Sequence, residues 1–269
     1  MRGLVAKISL GIIFAEIFLA LLANFIAPYP YYKVDLENRL RPPSPTHILG
    51  TDPLGRDVFS RLVYALRISF AVAILSLAVA LLIGTVLGMV SAILGSVTDA
   101  VLSWIFDVVY AMPGFFIAIA ILLIIGSGVM GTAAAISLTL TPIFFRLSRS
   151  ATRGVLVKQY VEVAKALGAS TLRIALNYVG RELMAVVIPA AVYMLSDAIA
   201  LEATLSVVGL GVNPPTPSLG NMISEYKDYV FVAPWLVATP IAIIALTIAS
   251  LNILAKELDK KLNAFLEAA

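Results

Sequence analysis

From Ile68 to Leu94 the chain carries no charged side chain. A helix needs about 20 apolar residues to cross the hydrocarbon of a bilayer, so this run can span one with length to spare. Five other runs qualify or nearly do. Ile8–Ala27 is broken only by Glu16 and Asn24 among strongly polar residues, and Val108–Ile125 follows Asp107. Val129–Phe145 ends at Arg146, Leu183–Gly211 holds Asp197 and Glu202, and Val230–Ala255 is uncharged. Only 13% of the residues are charged, against about a quarter in a soluble domain. The expected fold class is therefore an all-α integral membrane protein with six transmembrane helices. The first run follows Arg2 and Lys7 as a signal peptide would, but it is long for one and lacks a small-residue cleavage site, so it reads as an anchor.

The composition also narrows the chemistry. Cysteine is absent, which removes disulfides and thiolates. One histidine, His47, without an H-E-x-x-H pair, gives no expectation of a metal site. No G-x-S-x-G elbow occurs either, so no catalytic residues are expected. A formal charge of +3, scattered along the chain, is no footprint for nucleic acid. The lone Gln159 and the lack of cysteine point toward a hot environment.

Lysines and arginines orient the spans. With the N-terminus inside, the inner segments hold twelve of them and the outer segments seven. Both termini then face the cytoplasm, and so does the basic stretch from Arg146 to Glu182. That stretch contains QYVEVAKALGAS, Gln159 to Ser170, in which Tyr160, Val163, Ala164 and Leu167 share one helical face. Lys158, Glu162 and Lys165 fall opposite, and Gly168 stands at a favoured helix stop. Such a helix either lies on the membrane surface or fits a groove on another protein, and its composition does not choose.

Four stretches together resemble the permease subunits of ATP-binding cassette importers, specifically the second permease of the dipeptide/oligopeptide/nickel branch. Glu162-Val-Ala-Lys-Ala-Leu-Gly168 is similar to the family's EAA loop; the others are HILGTDPLGRDVFSRL (His47 to Leu62), FDVVYAMPGFFIAI (Phe106 to Ile119) and LEATLSVVGLGVNPPTPSLG (Leu201 to Gly220). The resemblance runs from about His47 to the C-terminus. It implies the type I importer permease fold, with residues 1–67 as anchor and outer loop and 68–269 as the transmembrane domain of five spans. It makes the loop of about 146–182 the coupling element. Tyr160, Glu162, Ala164, Lys165, Ala166, Leu167 and Gly168 would then seat on the ATPase. There are departures: Val163 stands where alanine is usual, and Gly180-Arg181-Glu182 where Leu-Pro-Asn is usual. Both bear on how the coupling helix meets its ATPase. Leu219, where tryptophan is usual, is expected at the outer surface.

The partners implied are a homologous second permease, two nucleotide-binding ATPase subunits, an extracytoplasmic substrate-binding protein and the lipid of a prokaryotic cell membrane. The chain lacks a G-x-x-x-x-G-K-[ST] phosphate loop, which agrees: ATP and Mg²⁺ belong on the partner ATPases, and this chain binds no cofactor. The substrates implied are di- or oligopeptides, with oligosaccharides or nickel as alternatives. A secondary transporter or channel would show internal symmetry and opposed ion-coupling acids, and neither is clear.

Acids in apolar spans are costly and mark candidate pathway or gate residues: Asp107, Asp197 and Glu202. Asp107, at the start of its span, reads as solvated at the interface. Glu202, inside the family-like EATLS stretch, reads as structural or gating. Asp197 matches no family position and reads as this chain's own polar group on the pathway wall, with a buried hydrogen bond to a neighbouring helix as the alternative. Five residues separate these last two, so they point about 140° apart on a helix of ~3.6 residues per turn. Glu16 reads as an inter-helix hydrogen-bond partner. Gly84 and Gly88 form a close-packing GxxxG pair. Pro113, Pro142, Pro189, Pro234 and Pro240 are expected to kink the last four spans. The GVNPPTPSLG loop is expected to be stiff, as a cap, a docking surface or a connector.

Overall fold

The computed structural model describes residues 2–268, with side chains from Leu4 to Leu262. The chain runs through α1 (Arg2–Leu21), α2 (Ala23–Ile26), α3 (Val58–Leu94), α4 (Ser96–Ala111), α5 (Gly114–Ile125) and α6 (Val129–Leu156). It continues through α7 (Gln159–Ala166), α8 (Thr171–Arg173), α9 (Gly180–Val207), α10 (Leu219–Tyr226) and α11 (Pro234–Ala268). A π-helical turn, Ile174–Val179, joins α8 to α9 without a break. The strand-like pairing among the described residues is one isolated antiparallel bridge, Thr51 to Asp57.

Among the described residues, five helices are long and apolar enough to cross a membrane: α1, α3, α6, the run Thr171–Val207 and α11. The third span differs from the expected Val108–Ile125 helix. There the chain forms two helices, α4 and α5, which meet at 97° and are apolar enough to cross a membrane only as a bent pair. The physical cause is Pro113. It lacks an amide hydrogen, and its ring drives the residue before it out of helical conformation. Met112 is accordingly extended, at ψ 139°, and Pro113 becomes the N-cap of a new helix. The helix also begins earlier than the expected run, because Ser96–Asp107 is amphipathic rather than uniformly apolar. Pro142, Pro189 and Pro240 sit inside α6, α9 and α11 without ending them. Pro234, expected to kink its span, instead opens α11, where a missing amide hydrogen costs nothing.

The GxxxG pair does pack closely. A Cβ on Gly84 would lie 2.6 Å from the Thr141 carbonyl oxygen of α6, and one on Gly88 would lie 2.4 Å from that of Phe145. Glu16 is buried and accepts a 2.9 Å hydrogen bond from the Thr247 hydroxyl, which ties α1 to α11.

HILGTDPLGRDVFSRL folds into a polar knot at the head of α3. Asp57 caps that helix, accepting from the Ser60 amide at 2.8 Å and its hydroxyl at 2.7 Å, while His47 Nδ1 lies 2.9 Å away. Asp52 holds the turn by accepting from the Leu54 and Arg56 amides, and it pairs with the Arg56 guanidinium at 2.6 Å. Arg56 and the fully buried Arg61 both reach Glu225 of α10, at 2.5 and 2.9 Å. This knot bolts α10 to α3. The turn 126–128 lies at the same end of the bundle, since the Gly128 amide donates to the Gly211 carbonyl just beyond α9. The start of α1, the last turns of α11 and α7 lie at the other.

Candidate functional site

α7 is short, and its position comes from its neighbours. Val161 and Ala164 are buried, with Val161 in a small apolar cluster with Val155, Ile174 and Val179. The sequence-derived apolar face therefore divides. Of Tyr160, Val163, Ala164 and Leu167, only Ala164 turns inward, and Leu167 is 83% exposed. Val161 is the residue that this periodicity missed. A helix packed on one side by two small residues and free elsewhere presents both its charges and its larger apolar side chains outward. Glu162 and Lys165 lie on that outward surface too, as does Ala166.

The start and end of α7 are fixed separately. Lys158 Nζ lies 2.6 Å from the Glu182 carboxylate at the head of α9, and the Tyr160 hydroxyl donates to the same carboxylate. Desolvation, and then Glu182, push the Tyr160 phenol up to about 12, so it stays a donor at physiological pH. Glu182 is one of the departures from the family pattern, and here it serves as the anchor. At the other end Gly168 has φ +83°. The Ala169 amide bonds the Ala164 carbonyl and the Gly168 amide bonds that of Lys165, both at 3.0 Å. That is the paired bonding of a Schellman stop, which needs a left-handed residue where Gly168 stands.

The segment from Arg146 to Leu156, expected as loop, continues α6 as helix. It carries a clamp that the hydropathy reading missed. Asp99, on the first turn of α4, is buried and accepts from Arg149 Nε and Nη2 at 2.6 Å, from Arg153 at 2.6 Å and from the Ser91 hydroxyl at 2.7 Å. Three elements meet on one carboxylate. The signal was present in the sequence, because Arg146, Arg149 and Arg153 recur at helical spacing and so share a face. Asp107 is exposed near Arg146 of the same stripe, paired at 2.6 Å, with the guanidinium 4.0 Å over the Tyr110 ring.

A cavity of about 630 Å³ opens where α4 breaks into α5, against α6 and α9. Tyr110, Pro113, Phe115, Thr139, Asp197 and Thr204 line it. Asp197 makes no hydrogen bond or ion pair with any described residue, so its alternative reading, a buried bond to a neighbouring helix, is not what the structure shows. Glu202 lies on the opposite side of α9 and is fully buried. It accepts from Ser69 of α3 and from Ser206, both at 2.8 Å. The Ser69 hydroxyl in turn accepts the Leu219 amide at 3.1 Å, so this carboxylate joins α3, α9 and the start of α10. Leu219 itself is 2% exposed; the expectation that it sits at the outer surface was wrong, because the GVNPPTPSLG loop folds inward from Ser218 to cap α10. With a cysteine at each position of the assembled complex, a water-soluble thiol reagent should label Asp197→Cys and leave Glu202→Cys unlabelled. An Asp197→Cys protein that stays unlabelled with and without ATP would remove Asp197 from the pathway wall.

A family model described as "Binding-protein-dependent transport system inner membrane component" matches residues 84–264, more than half of the chain. The chain belongs to this family. A second model, "N-terminal TM domain of oligopeptide transport permease C", matches residues 4–43. The permease is 34% identical to the di/tripeptide transport system permease protein DppC of Pseudomonas aeruginosa (strain UCBPP-PA14), over 94% of this chain and 86% of that one. It is 36% identical to the glutathione transport system permease protein GsiD of Shigella flexneri serotype 5b (strain 8401), over 92% and 82%. Its fold is similar to a chain of the MetNI methionine ABC transporter in an inward-facing conformation, with a TM-score of 0.62 and 16% identity, over 75% of this chain and 96% of that one. The permease is thus a multi-pass membrane protein with the type I importer permease fold.

Proposed function

We propose that this permease is a membrane-spanning subunit of an ATP-driven importer of di- or oligopeptides. The observation that carries the coupling role is α7, held at both ends by Glu182 and the Gly168 stop, buried on Val161 and Ala164 alone, and presenting Tyr160, Val163 and Leu167 outward. An outward apolar face on a rigid helix fits a groove on a partner better than it fits water. Tyr160, Glu162, Ala164, Lys165, Ala166, Leu167 and Gly168 form the element through which two separate ATPase subunits drive the spans. Those subunits hold ATP and Mg²⁺, and this chain is not itself catalytic. α7 and both chain ends face the cytoplasm, while the knot around Asp52, Arg56 and Glu225 faces outward toward a substrate-binding protein. The pathway forms against a homologous second permease, with Asp197 on its wall, Asp107 near its inner mouth and Glu202 holding the outer ends of α3, α9 and α10 together. The peptide substrate rests on the relatives named for di/tripeptide and glutathione transport.

The test is reconstitution. Vesicles holding the permease with its second permease, ATPases and binding protein should take up a dipeptide when supplied with ATP. The permease alone should neither hydrolyse ATP nor pass the dipeptide down an ion gradient. Flux from the single chain under an ion gradient would favour a secondary transporter.

A further inference from the structure

We infer that the cavity at the α4–α5 break is a recognition site for a cationic amine, and that Asp197 receives the free α-ammonium of the transported peptide. The inference rests on the importer reading and adds what the pathway selects for. Among the described residues, Asp197 is the one charged residue lining the cavity. A carboxylate at membrane depth is expensive unless something compensates it, and no described residue of this chain does. Asp197 is exposed, so its compensation comes from outside the chain: water in the open cavity, until a cationic group displaces it.

The remaining polar atoms of the cavity narrow what that group is. Thr139 and Thr204 spend their hydroxyl hydrogens on carbonyls of their own helices, Ile136 and Ala200, each at 2.7 Å. Their oxygens remain as acceptors. With the Tyr110 hydroxyl, which can accept as well as donate, the cavity offers a negative charge and acceptors, which suits an ammonium, a group with three donors and no acceptor. The Tyr110 and Phe115 rings and Pro113 supply an apolar wall for a side chain beside it. The volume of about 630 Å³ falls within the range of small-ligand sites, about 300–1,000 Å³. A peptide with a free N-terminus carries such an ammonium below pH of about 8.

The experiment uses the full complex in vesicles, with uptake expressed per ATP hydrolysed, so that delivery by the binding protein is divided out. Asp197→Asn, which keeps the shape and removes the charge, should lower dipeptide uptake per ATP about tenfold, while the loaded binding protein still stimulates hydrolysis. Asp197→Glu should restore most of it. In the unsubstituted complex uptake per ATP should fall as pH rises through the ammonium pKa, and in Asp197→Asn that dependence should vanish. If the unsubstituted complex takes up no dipeptide, the importer reading fails. If it does and Asp197→Asn keeps full uptake per ATP, the ammonium assignment alone fails. Loss of the second permease on purifying Asp197→Asn would overturn it differently, by making Asp197 half of an ion pair between subunits.

Discussion

A complex carrying Gly168→Val is expected to hydrolyse ATP while losing at least tenfold in uptake per ATP. A Cβ at this position meets nothing within 4 Å, so crowding is not the cause. The backbone is. Gly168 has φ +83°, a conformation that costs ordinary side chains about 1–2 kcal/mol and β-branched ones more. The valine relieves that strain by leaving the left-handed region, and the two 3.0 Å bonds that close α7 go with it. Leu167 and Lys165, in the last turn, then lose their fixed direction. The fold should survive, since Gly168 is exposed. Asparagine tolerates the left-handed region, so Gly168→Asn should keep most of the uptake. Normal uptake per ATP with normal recovery of the complex in Gly168→Val would sink the coupling assignment.

Asp99→Ala should lower the stability of the inner end measurably. It removes the shared partner of Arg149, Arg153 and Ser91 and leaves two guanidiniums facing one another. Arg149 and Arg153 are 27% and 51% exposed and can be solvated once Asp99 is gone, so the loss is that of hydrogen bonds to a charged group rather than of a buried pair, about 2 kcal/mol. The readout is the fraction of permease still folded in detergent after stepwise heating. Asp99→Asn, which keeps one acceptor oxygen of the two, should fall between. A midpoint for Asp99→Ala equal to that of the unsubstituted chain would show the clamp to be incidental.

The long helices were legible because the bilayer imposes a length and a composition that hydropathy measures directly. The stop at Gly168 and the close approach at Gly84 and Gly88 were legible for a related reason: each depends on the absence of a side chain. The break at Pro113 was half legible. The proline announced a disturbance, but the same residue type sits inside α6, α9 and α11 without ending them, so residue identity alone does not set the outcome. Val161 was missed because α7 packs along a narrow strip, and a face drawn from spacing included residues that the neighbouring segment never reaches. Asp99 and Arg61 were missed for another reason. Each is buried by partners distant in sequence, so a reading confined to local pattern sees only a charge near a span.

The clamp and the bend share a geometric corollary. α4 has 16 residues, so it is a rod of about 24 Å at 1.5 Å rise per residue. Its first turn is gripped by Asp99, next to the end of α6 that runs into α7, and its far end stops at Met112, on the rim of the cavity. A tilt of about 5° at the gripped end displaces the far end by roughly 2 Å, with the length taken from the helical rise. Because the bend at Pro113 separates α4 from α5, that displacement need not drag α5 along. Tied to α6 at Asp99 and again where Arg146 meets Asp107 and Tyr110, but parted from α5 at Met112, α4 has the proportions of an oar that α6 pulls: a small stroke at the clamp becomes a larger one beside the substrate.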